Sequence, residues 1–507
     1  MRTYILILIL QLLIFLNMSP VNAQKRGSVW CFGDSALIDF KDTANIITGT
    51  SIVKSRGSCA SISDSTGNLL FYTSYDLSIQ ISGTDPIKVY GKNNQVILNG
   101  DSIQGGAWYR ELVIVPDPAS INLFYVFHIG VTQDFGLYYT TVDMAANSGQ
   151  GAVIQKNVQL ENFKAVDCLS AIKHGNGRDW WVFFRRYNNS PAAPNNDWYL
   201  YLITPSGVIN QPIQMIGSIQ STGFGQISFN ASGNRMAYIN YKGLIELYDF
   251  NRCTGIISSP VTISSENSQA PWPENWSSEF SPSGNFLYMT QIAAFPPDSC
   301  YLIQFDLNSA NIAQSADTIW VTPFEENMGQ LKMALDGKMY LTTNYKGGYP
   351  YADTSYNYIN MNLTRINSPD SLGTACNLQP FSFYLGGKRT YFGLPNNPDY
   401  DLPALAGSPC DTLVSQNELA GAAAIGSIHV YYHPAWEKAF INASNLKGKT
   451  GKLLVYDIQG KVVHSEPLRI QNGYYTRDLS MIGRADGVYL VVVETEQERL
   501  VKKILID

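Results

Sequence analysis

One short pattern recurs six times between residues 60 and 345 of this 507-residue chain. In each copy an apolar segment is followed by a polar turn and then by an aromatic-rich segment. Successive copies lie 51 to 56 residues apart, with turns centred on Gly67, Asn122, Gly177, Gly233, Gly284 and Gly337. Glycine permits the positive φ that tight hairpin turns require. The pattern therefore predicts a series of similar antiparallel hairpins whose aromatic residues pack inward.

The spacing of the hairpins identifies the architecture. A four-stranded propeller blade needs roughly 40 to 50 residues, whereas β-sandwich domains would repeat at about 100 residues. Residues 27–405 hold close to seven of the observed periods. We therefore predict a seven-bladed β-propeller, with six or eight blades as alternatives, and we expect strands from both ends of this segment to close the last blade.

The composition supports an all-β fold. Charged residues make up 15% of the chain, against roughly 25% in ordinary globular domains. The chain contains 31 Tyr, 41 Gly and 24 Pro, which is typical of many short strands joined by tight turns. We predict no long helices.

The N-terminus has the features of a secretory signal peptide. Arg2 provides the positive charge, residues 5–16 are almost entirely apolar, and a small-residue cleavage site ends at Ala23. The alternative, a transmembrane anchor, needs roughly 20 apolar residues, but polar residues and a proline interrupt this segment from residue 17 onward. We predict a signal peptide over residues 1–23, cleaved between Ala23 and Gln24.

The charge of the mature chain limits its partners. Without residues 1–23 the chain carries 34 basic and 41 acidic residues. This net negative charge gives no attraction for phosphate backbones, so we expect no nucleic-acid partner. No later segment is long and apolar enough to predict a transmembrane helix.

The sequence changes character after the predicted propeller, which we assign to residues 24–405. Residues 406–427 form a linker rich in small residues, and residues 428–507 alternate apolar and polar residues as short strands do. We predict that this last segment is a small Ig-like β-sandwich.

This C-terminal segment resembles the type A sorting domain of the type IX secretion system. The resemblance rests on these positions: Tyr431, Pro434, Asp457, Gly460, Gly487, Tyr489, Lys502 and Lys503. The usual Pro-Asn of the opening motif is replaced by Tyr432 and His433. The resemblance implies contact with the type IX secretion machinery, transport across the outer membrane, removal of the tail, and release or attachment at the cell surface. The alternative is an ordinary Ig-like accessory module that is retained.

The middle of the chain resembles a family of uncharacterised secreted propellers. This likeness is carried by residues 67–73, 99–100, 113–118, 124–127, 247–255, 301–307 and 393–396. The resemblance implies a blade array with a type IX sorting tail, and it implies no established activity.

The seven cysteines all belong to the mature chain, where disulfides can form. An odd number leaves at least one unpaired, and up to three bridges are possible. The cysteines and histidines do not have the spacing of a zinc site. We predict no metal site and no cofactor.

One motif suggests catalysis. Gly33, Asp34 and Ser35 resemble the nucleophile block of GDS-type esterases, which also place an Asp-x-x-His near the C-terminus. No histidine of this chain follows an aspartate by three residues. We therefore interpret the motif as an early strand and turn, and we predict no catalytic residue.

Two aromatic segments are the candidate ligand-binding residues. The first contains Trp108, Tyr109 and Arg110, and the second contains Trp272 and Trp276. Tryptophan offers a flat apolar face and a polar N–H, which suit stacking on a sugar or a protein contact. The alternative is that these side chains fill gaps between blades.

The sequence favours a secreted or surface-displayed propeller that binds a glycan or a protein without catalysis. A carbohydrate-active hydrolase or lyase is the alternative, because propeller enzymes assemble carboxylates from distant blades. A structural component of the cell surface is a third hypothesis.

Overall fold

The computed structural model describes most of the chain after residue 24. The described segments are 25–75, 86–105, 109–130, 136–165, 167–186, 195–220, 225–266, 274–292, 298–345, 355–411, 427–433, 437–444, 446–470 and 475–506. The chain divides into two compact units, Met1–Leu413 and Val414–Asp507.

Seven antiparallel sheets make up the first unit. Blade 1 contains β1 (Val29–Phe32), β2 (Asp34–Asp39) and β3 (Ile47–Lys54). Blade 2 contains β4 (Cys59–Ser63), β5 (Leu69–Tyr75) and β6 (Ile87–Gly91). Blade 3 contains β7 (Leu112–Pro116), β8 (Leu123–Gly130), β9 (Gly136–Asp143) and β10 (Ala152–Glu161).

The other four sheets follow in chain order. Blade 4 contains β11 (Ser170–Lys173), β12 (Trp180–Arg185), β13 (Asn195–Thr204), β14 (Gly207–Asn210) and β15 (Gln214–Gln220). Blade 5 contains β16 (Gly225–Phe229), β17 (Arg235–Asn240), β18 (Ile245–Phe250) and β19 (Ile257–Ser264). Blade 6 contains β20 (Glu274–Phe280), β21 (Phe286–Ile292), β22 (Ser299–Asp306) and β23 (Asp317–Pro323). Blade 7 contains β24 (Glu326–Met333), β25 (Met339–Tyr345), β26 (Asn362–Ile366) and β27 (Leu378–Tyr384).

The prediction of a seven-bladed all-β propeller is confirmed. Helical segments are short: Ala146–Gly149, Ala313–Ser315 and Gly373–Cys376. In the part of the chain that the structure describes, no helix is long and apolar enough to span a membrane.

The six repeated turns all connect the first strand of a blade to its second strand, in blades 2 to 7. The aromatic residues that follow the turns in the four clearest copies are fully buried: Tyr72, Tyr238, Tyr288 and Tyr340. Because alternate residues of a strand point to opposite faces of the sheet, this position faces a neighbouring blade in each repeat. The inward packing predicted from the repeat is confirmed.

Blade 1 lacks a seventh copy of the turn because it is assembled from both ends of the propeller sequence. Strand β1 is antiparallel to β4 of blade 2. Two hydrogen bonds show this, because the end of β4 meets the residues before β1 (Ser63 N to Arg26 O, 2.8 Å) and the residues before β4 meet the end of β1 (Ser55 N to Gly33 O, 2.9 Å). Residues 389–397 lie beside the first strands of blades 7 and 2, since Gln330 N donates to Phe392 O (2.8 Å) and Asn396 N donates to Cys59 O (2.9 Å). Asp34 N donates to Arg389 O (2.9 Å), which joins this segment to blade 1.

The second unit is a β-sandwich of two sheets. One sheet has the order β28 (Ser427–His433), β29 (Lys438–Ser444) and β32 (Tyr475–Ser480). The other has the order β31 (Val462–Arg469), β30 (Thr450–Tyr456), β33 (Gly487–Thr495) and β34 (Arg499–Ile506). Apolar residues from both sheets form one core, which includes Ile441, Val455 and Val491. The predicted C-terminal sandwich is confirmed.

Candidate functional site

Three aromatic side chains from different blades meet on the propeller axis. Tyr109 precedes β7 of blade 3, Trp276 lies on β20 of blade 6, and Phe392 lies in the segment that closes blade 1. The ring centroids are 4.3 Å apart for Tyr109 and Trp276, 5.2 Å for Trp276 and Phe392, and 6.0 Å for Tyr109 and Phe392. Blades 3 and 6 are not neighbours, so these side chains can meet only near the axis. We call the three residues the axis cluster.

The members of the axis cluster differ in exposure. Tyr109 and Phe392 are buried, whereas Trp276 is half-buried. Arg110, also buried, donates from Nη1 to the carbonyl oxygen of Trp276 (3.1 Å). Burial lowers the pKa of Arg110 to about 10, so its guanidinium stays charged at neutral pH. The backbone of Trp276 is therefore fixed by Arg110, while the residue itself stays partly exposed.

The two segments singled out from the sequence thus come together, although they are 166 residues apart. Trp108 and Trp272 lie outside the described residues. Tyr109 and Arg110 are buried, and they contact Trp276 of a blade that is not a neighbour. Of the five candidates, Trp276 is the described residue with surface to offer a ligand.

Two carboxyl groups lie against each other beside the axis cluster. The backbone N–H of Asp167 donates to Glu111 Oε1 (3.3 Å), and Glu111 Oε2 is hydrogen-bonded to Ser58. Asp167 Oδ1 accepts from the backbone N–H groups of Tyr109 (3.2 Å) and Arg110 (3.1 Å). Burial, followed by the charge of Asp167, raises the pKa of Glu111 well above its usual range. Two such carboxyls cannot both ionise at low cost, so we expect the pair to share one proton.

This carboxyl pair is closed off from solvent. Glu111 is 0% exposed and Asp167 is 5% exposed. Asp167 and the following Cys168 also have positive φ values of 51° and 63°, a conformation that costs about 1–2 kcal/mol per residue outside glycine. The hydrogen bonds from Tyr109 and Arg110 hold Asp167 in this conformation, so the pair positions the start of β7.

A second charged pair lies further along the axis. Glu279 on β20 and Lys332 on β24 are close enough to influence each other's titration. Burial raises the pKa of Glu279 to about 7, while the positive charges of Lys332 and Arg110 oppose the rise. Lys332 Nζ donates to the carbonyl oxygen of Asn397 (2.9 Å). These charges are therefore balanced by partners of the protein itself.

Asn396 joins three successive blades. Its side-chain Nδ2 donates to the carbonyl oxygens of Leu112 in blade 3 (2.9 Å) and Leu169 before blade 4 (2.9 Å). Its backbone N–H donates to Cys59 O in blade 2 (2.9 Å). This residue thus ties the segment that closes blade 1 to blades 2, 3 and 4.

The Gly33-Asp34-Ser35 motif forms the turn between β1 and β2, as predicted. Gly33 and Ser35 have positive φ values of 62° and 68°. Asp34 Oδ2 accepts from Arg389 Nε (3.2 Å) and from the hydroxyl of Tyr356 (2.7 Å). The carboxylate of the motif thus links blade 1 to the closing segment.

The residues that resemble the sorting signal lie on the second unit. Asp457 and Gly460 form the turn between β30 and β31, where Asp457 Oδ1 accepts from the backbone N–H of Lys461 (2.9 Å). Gly487 begins β33, Tyr489 is buried, and Lys502 and Lys503 lie on β34. Tyr431 is part of β28, and Pro434 lies outside the described residues.

The structure also shows one disulfide, between Cys253 and Cys410. The sequence allowed up to three bridges and did not indicate which residues pair. In the described segments, no group of three or more His, Cys, Asp or Glu side chains is arranged to hold a metal ion.

Sequence reasoning missed Phe392 and Asn396. Both lie in a segment without periodic pattern, and the side chain of Asn396 joins residues more than 200 positions away in the chain. Residues 393–396 carry part of the likeness to secreted propellers, but that likeness does not indicate what they contact.

Comparisons with known proteins agree with these two units. Residues 429–507 match the family described as the secretion system C-terminal sorting domain. No curated protein sequence matches the chain.

Several solved propeller structures are similar in fold. The Dos1 propeller has 10% identity and a TM-score of 0.38, covering 73% of this chain and 87% of its own. The periplasmic gluconolactonase of Pseudomonas aeruginosa has 11% identity and a TM-score of 0.36, covering 84% of this chain and 100% of its own. A quinonprotein alcohol dehydrogenase-like protein of Bacteroides thetaiotaomicron has 11% identity and a TM-score of 0.35, covering 68% of this chain and 73% of its own.

Such distant similarities carry no argument about activity, and the blade count rests on the sheets themselves. The chain is a seven-bladed β-propeller protein that carries a type IX C-terminal sorting domain.

Proposed function

We propose that the protein is exported by the type IX secretion system and acts outside the cell as a non-catalytic binding module for a glycan or a protein. The sorting domain at residues 429–507 supports the export route. We further propose that the signal peptide, residues 1–23, is removed between Ala23 and Gln24, and that residues 406–427 link the propeller, residues 24–405, to the sorting domain, residues 428–507.

The burial of the Glu111–Asp167 carboxyl pair is the observation that carries the binding proposal. A channel enzyme needs its acid and base at a surface that the substrate reaches. In this propeller the carboxyls of Glu111 and Asp167 are buried, and their hydrogen bonds go to Ser58, Tyr109 and Arg110. This arrangement favours a rigid scaffold over a catalytic pair.

The proposed ligand contact is Trp276, which is half-buried. A separate group of aromatic side chains lies around Arg389 and includes Tyr391, which is also half-buried. The guanidinium of Arg389 lies 5.0 Å from the ring of Tyr391 and 4.7 Å from the ring of Tyr356, and Tyr356 is 47% exposed. Aromatic rings fixed in this way lose little conformational entropy when a ligand stacks on them. We assign ligand contact to Trp276 and a supporting role to Tyr109 and Arg110.

The export proposal is tested by fractionating cells of a bacterium that has a type IX system. The full chain should reach the cell surface or the medium. A chain that ends at Gly426 should stay inside the outer membrane and remain folded. Equal export of both chains would refute the role assigned to residues 428–507.

The binding proposal is tested with the purified full chain on immobilised polysaccharides and on cell-surface protein fractions. For whichever sample retains the protein, Trp276→Ala should weaken retention at least tenfold, an effect typical of a central aromatic contact. Trp320→Ala is the matched control, because Trp320 is a half-buried tryptophan on β23, the outermost strand of the same blade. Equal retention of Trp276→Ala and the wild type would move the ligand surface elsewhere.

A further inference from the structure

A single segment at the end of the propeller, residues 389–411, crosses from blade 7 to blade 5. We call it the strap. At its start, Thr390 Oγ1 donates to Thr343 O (2.7 Å) in blade 7. Gly393 N donates to Arg56 O (2.7 Å) just before blade 2. The strap thus bridges the gap between the first and last parts of the ring.

The strap continues across the blades on the other side. The hydroxyl of Tyr400 donates to Ile114 O (2.9 Å) in blade 3, and Leu405 N donates to Gly175 O (2.7 Å) in blade 4. Tyr400 and Leu402 are both buried. The strap is therefore hydrogen-bonded to blades 1, 2, 3, 4 and 7.

The far end of the strap is fixed to the turn that follows β18 of blade 5. The disulfide joins Cys253 in this turn to Cys410, 157 residues away. Arg252, which is 1% exposed, donates from Nη2 to Pro403 O (2.7 Å) and from Nε to Lys173 O (2.9 Å). A Cβ at Gly175 would lie 2.5 Å from Cys410 Sγ, so glycine makes room for the disulfide. The turn after β18, the end of the strap and the loop at Gly175 therefore pack together at this disulfide.

We propose that the strap closes the propeller ring and that the Cys253–Cys410 disulfide is a redox-dependent latch that keeps it closed. The disulfide can form only when blade 5 and the end of the strap have met, which requires the ring to be assembled. The latch lies before residue 412, so the closed ring does not depend on the segment that follows. The latch stabilises the closed ring, and this proposal does not depend on the ligand proposed for Trp276.

The chemistry of the latch is thiol–disulfide exchange. On closure, the thiols of Cys253 and Cys410 lose two electrons and two protons to a disulfide-bearing protein oxidant of the extracytoplasmic compartment, whose disulfide becomes two thiols. Dithiothreitol reverses the step. Its two thiols form a cyclic disulfide, and the Cys253–Cys410 bond is reduced to two thiols.

The test compares the oxidised full chain, the chain reduced after folding, and the Cys253→Ser/Cys410→Ser double variant. Peptide mapping without reductant should show one cross-linked pair that contains Cys253 and Cys410. Loss of a cross-link that closes a loop of this length should lower the melting temperature of the propeller by roughly 5 °C. Chymotrypsin should then cleave after Tyr400 and Leu405, at least tenfold faster than in the oxidised chain.

The double variant also controls for side effects of the reductant. Dithiothreitol should not change its melting temperature or its cleavage. If the variant does not fold, the reduced wild type still provides the comparison. The proposal is overturned if the cross-linked peptide is missing, if reduction leaves melting and cleavage unchanged, or if reductant lowers the melting temperature of the double variant equally.

Discussion

Arg389 makes several interactions at the point where the two ends of the propeller sequence meet. It donates to Asp34 Oδ2 (3.2 Å) and to Ser355 O (2.9 Å), and its guanidinium lies against the rings of Tyr356 and Tyr391. The side chains of Asp34 and Arg389 are 10% and 7% exposed. Removing one partner of a buried ion pair leaves the other charge without compensation.

We predict that Asp34→Asn lowers the free energy of unfolding of the propeller by about 3 kcal/mol. The control is Asp101→Asn, because Asp101 pairs with Lys156 (3.6 Å) through side chains that are 64% and 28% exposed. This exposed pair should contribute about 0.5 kcal/mol or less. Denaturant unfolding of the three proteins measures both effects, and equal losses would contradict the role given to Asp34.

His128 makes stability depend on pH. The side chain is fully buried on β8, where its Nε2 is hydrogen-bonded to Thr140 Oγ1 (3.0 Å). Burial lowers the pKa of His128 to about 3, so the folded protein does not take up the proton that the unfolded chain binds near pH 6.5. The contribution of His128 to stability is therefore present above pH 6.5 and is lost as the pH falls towards 3.

Between pH 6.5 and pH 4 the wild type should lose about 2–3 kcal/mol more stability than His128→Gln, which has no proton to take up. Denaturant unfolding at a series of pH values measures the difference. Parallel pH profiles of the two proteins would show that His128 is protonated in the folded state.

At the scale of single residues, the sequence identified only part of the site. Trp276 and Tyr109 stood out because aromatic residues in loops are often ligand contacts, yet nothing in the sequence indicated that they touch each other. Phe392 and Asn396 gave no signal, because their roles come from contacts across the ring. Nor did the sequence indicate that Arg110 is buried and donates to the backbone carbonyl of Trp276.

The elements of the propeller were easier to predict, because each hairpin is local in sequence. The glycines of the repeated turns adopt positive φ, for example 69° at Gly233 and 74° at Gly337. They differ in their surroundings. A Cβ at Gly233 would lie 2.6 Å from Ile172 Cδ1 and 2.9 Å from Leu402 Cδ2, whereas a Cβ at Gly337 meets nothing within 4 Å.

This contrast gives a prediction for the two turns. Gly337→Ala should lower the free energy of unfolding by about 1–2 kcal/mol, because the new side chain strains the backbone. Gly233→Ala should lower the free energy of unfolding by ~1–3 kcal/mol more than Gly337→Ala does, because its added methyl group also clashes with blade 4 and the strap. Thermal unfolding of both variants measures the difference. Equal losses of stability would contradict the prediction, because they would show that the strap moves to accommodate the methyl group.

The strap could not be predicted as an element. It has no alternation and no repeated turn, and most of its hydrogen bonds to the blades join residues that are far apart in the chain. The period of the hairpins did indicate that one blade would need both ends of the sequence. It could not show that an irregular segment would lie beside the first strands of blades 7 and 2 or that Cys410 would pair with Cys253.

At the scale of the whole molecule, the two units differ in charge, and we propose that they differ in task. Residues 24–427 contain 23 basic and 32 acidic residues, and residues 428–507 contain 11 basic and 9 acidic residues. The family match of the tail supports sorting by the C-terminus, and we propose that the propeller works through its blades. On this account the propeller binds its ligand and does not cleave it.

The most direct test incubates the purified full chain with a panel of polysaccharides and measures retention and the release of reducing ends on the same samples. We predict retention without release. Release that disappears in Glu111→Gln would contradict the account, because it would show that the buried carboxyl pair reaches a substrate and that the propeller is a hydrolase or lyase.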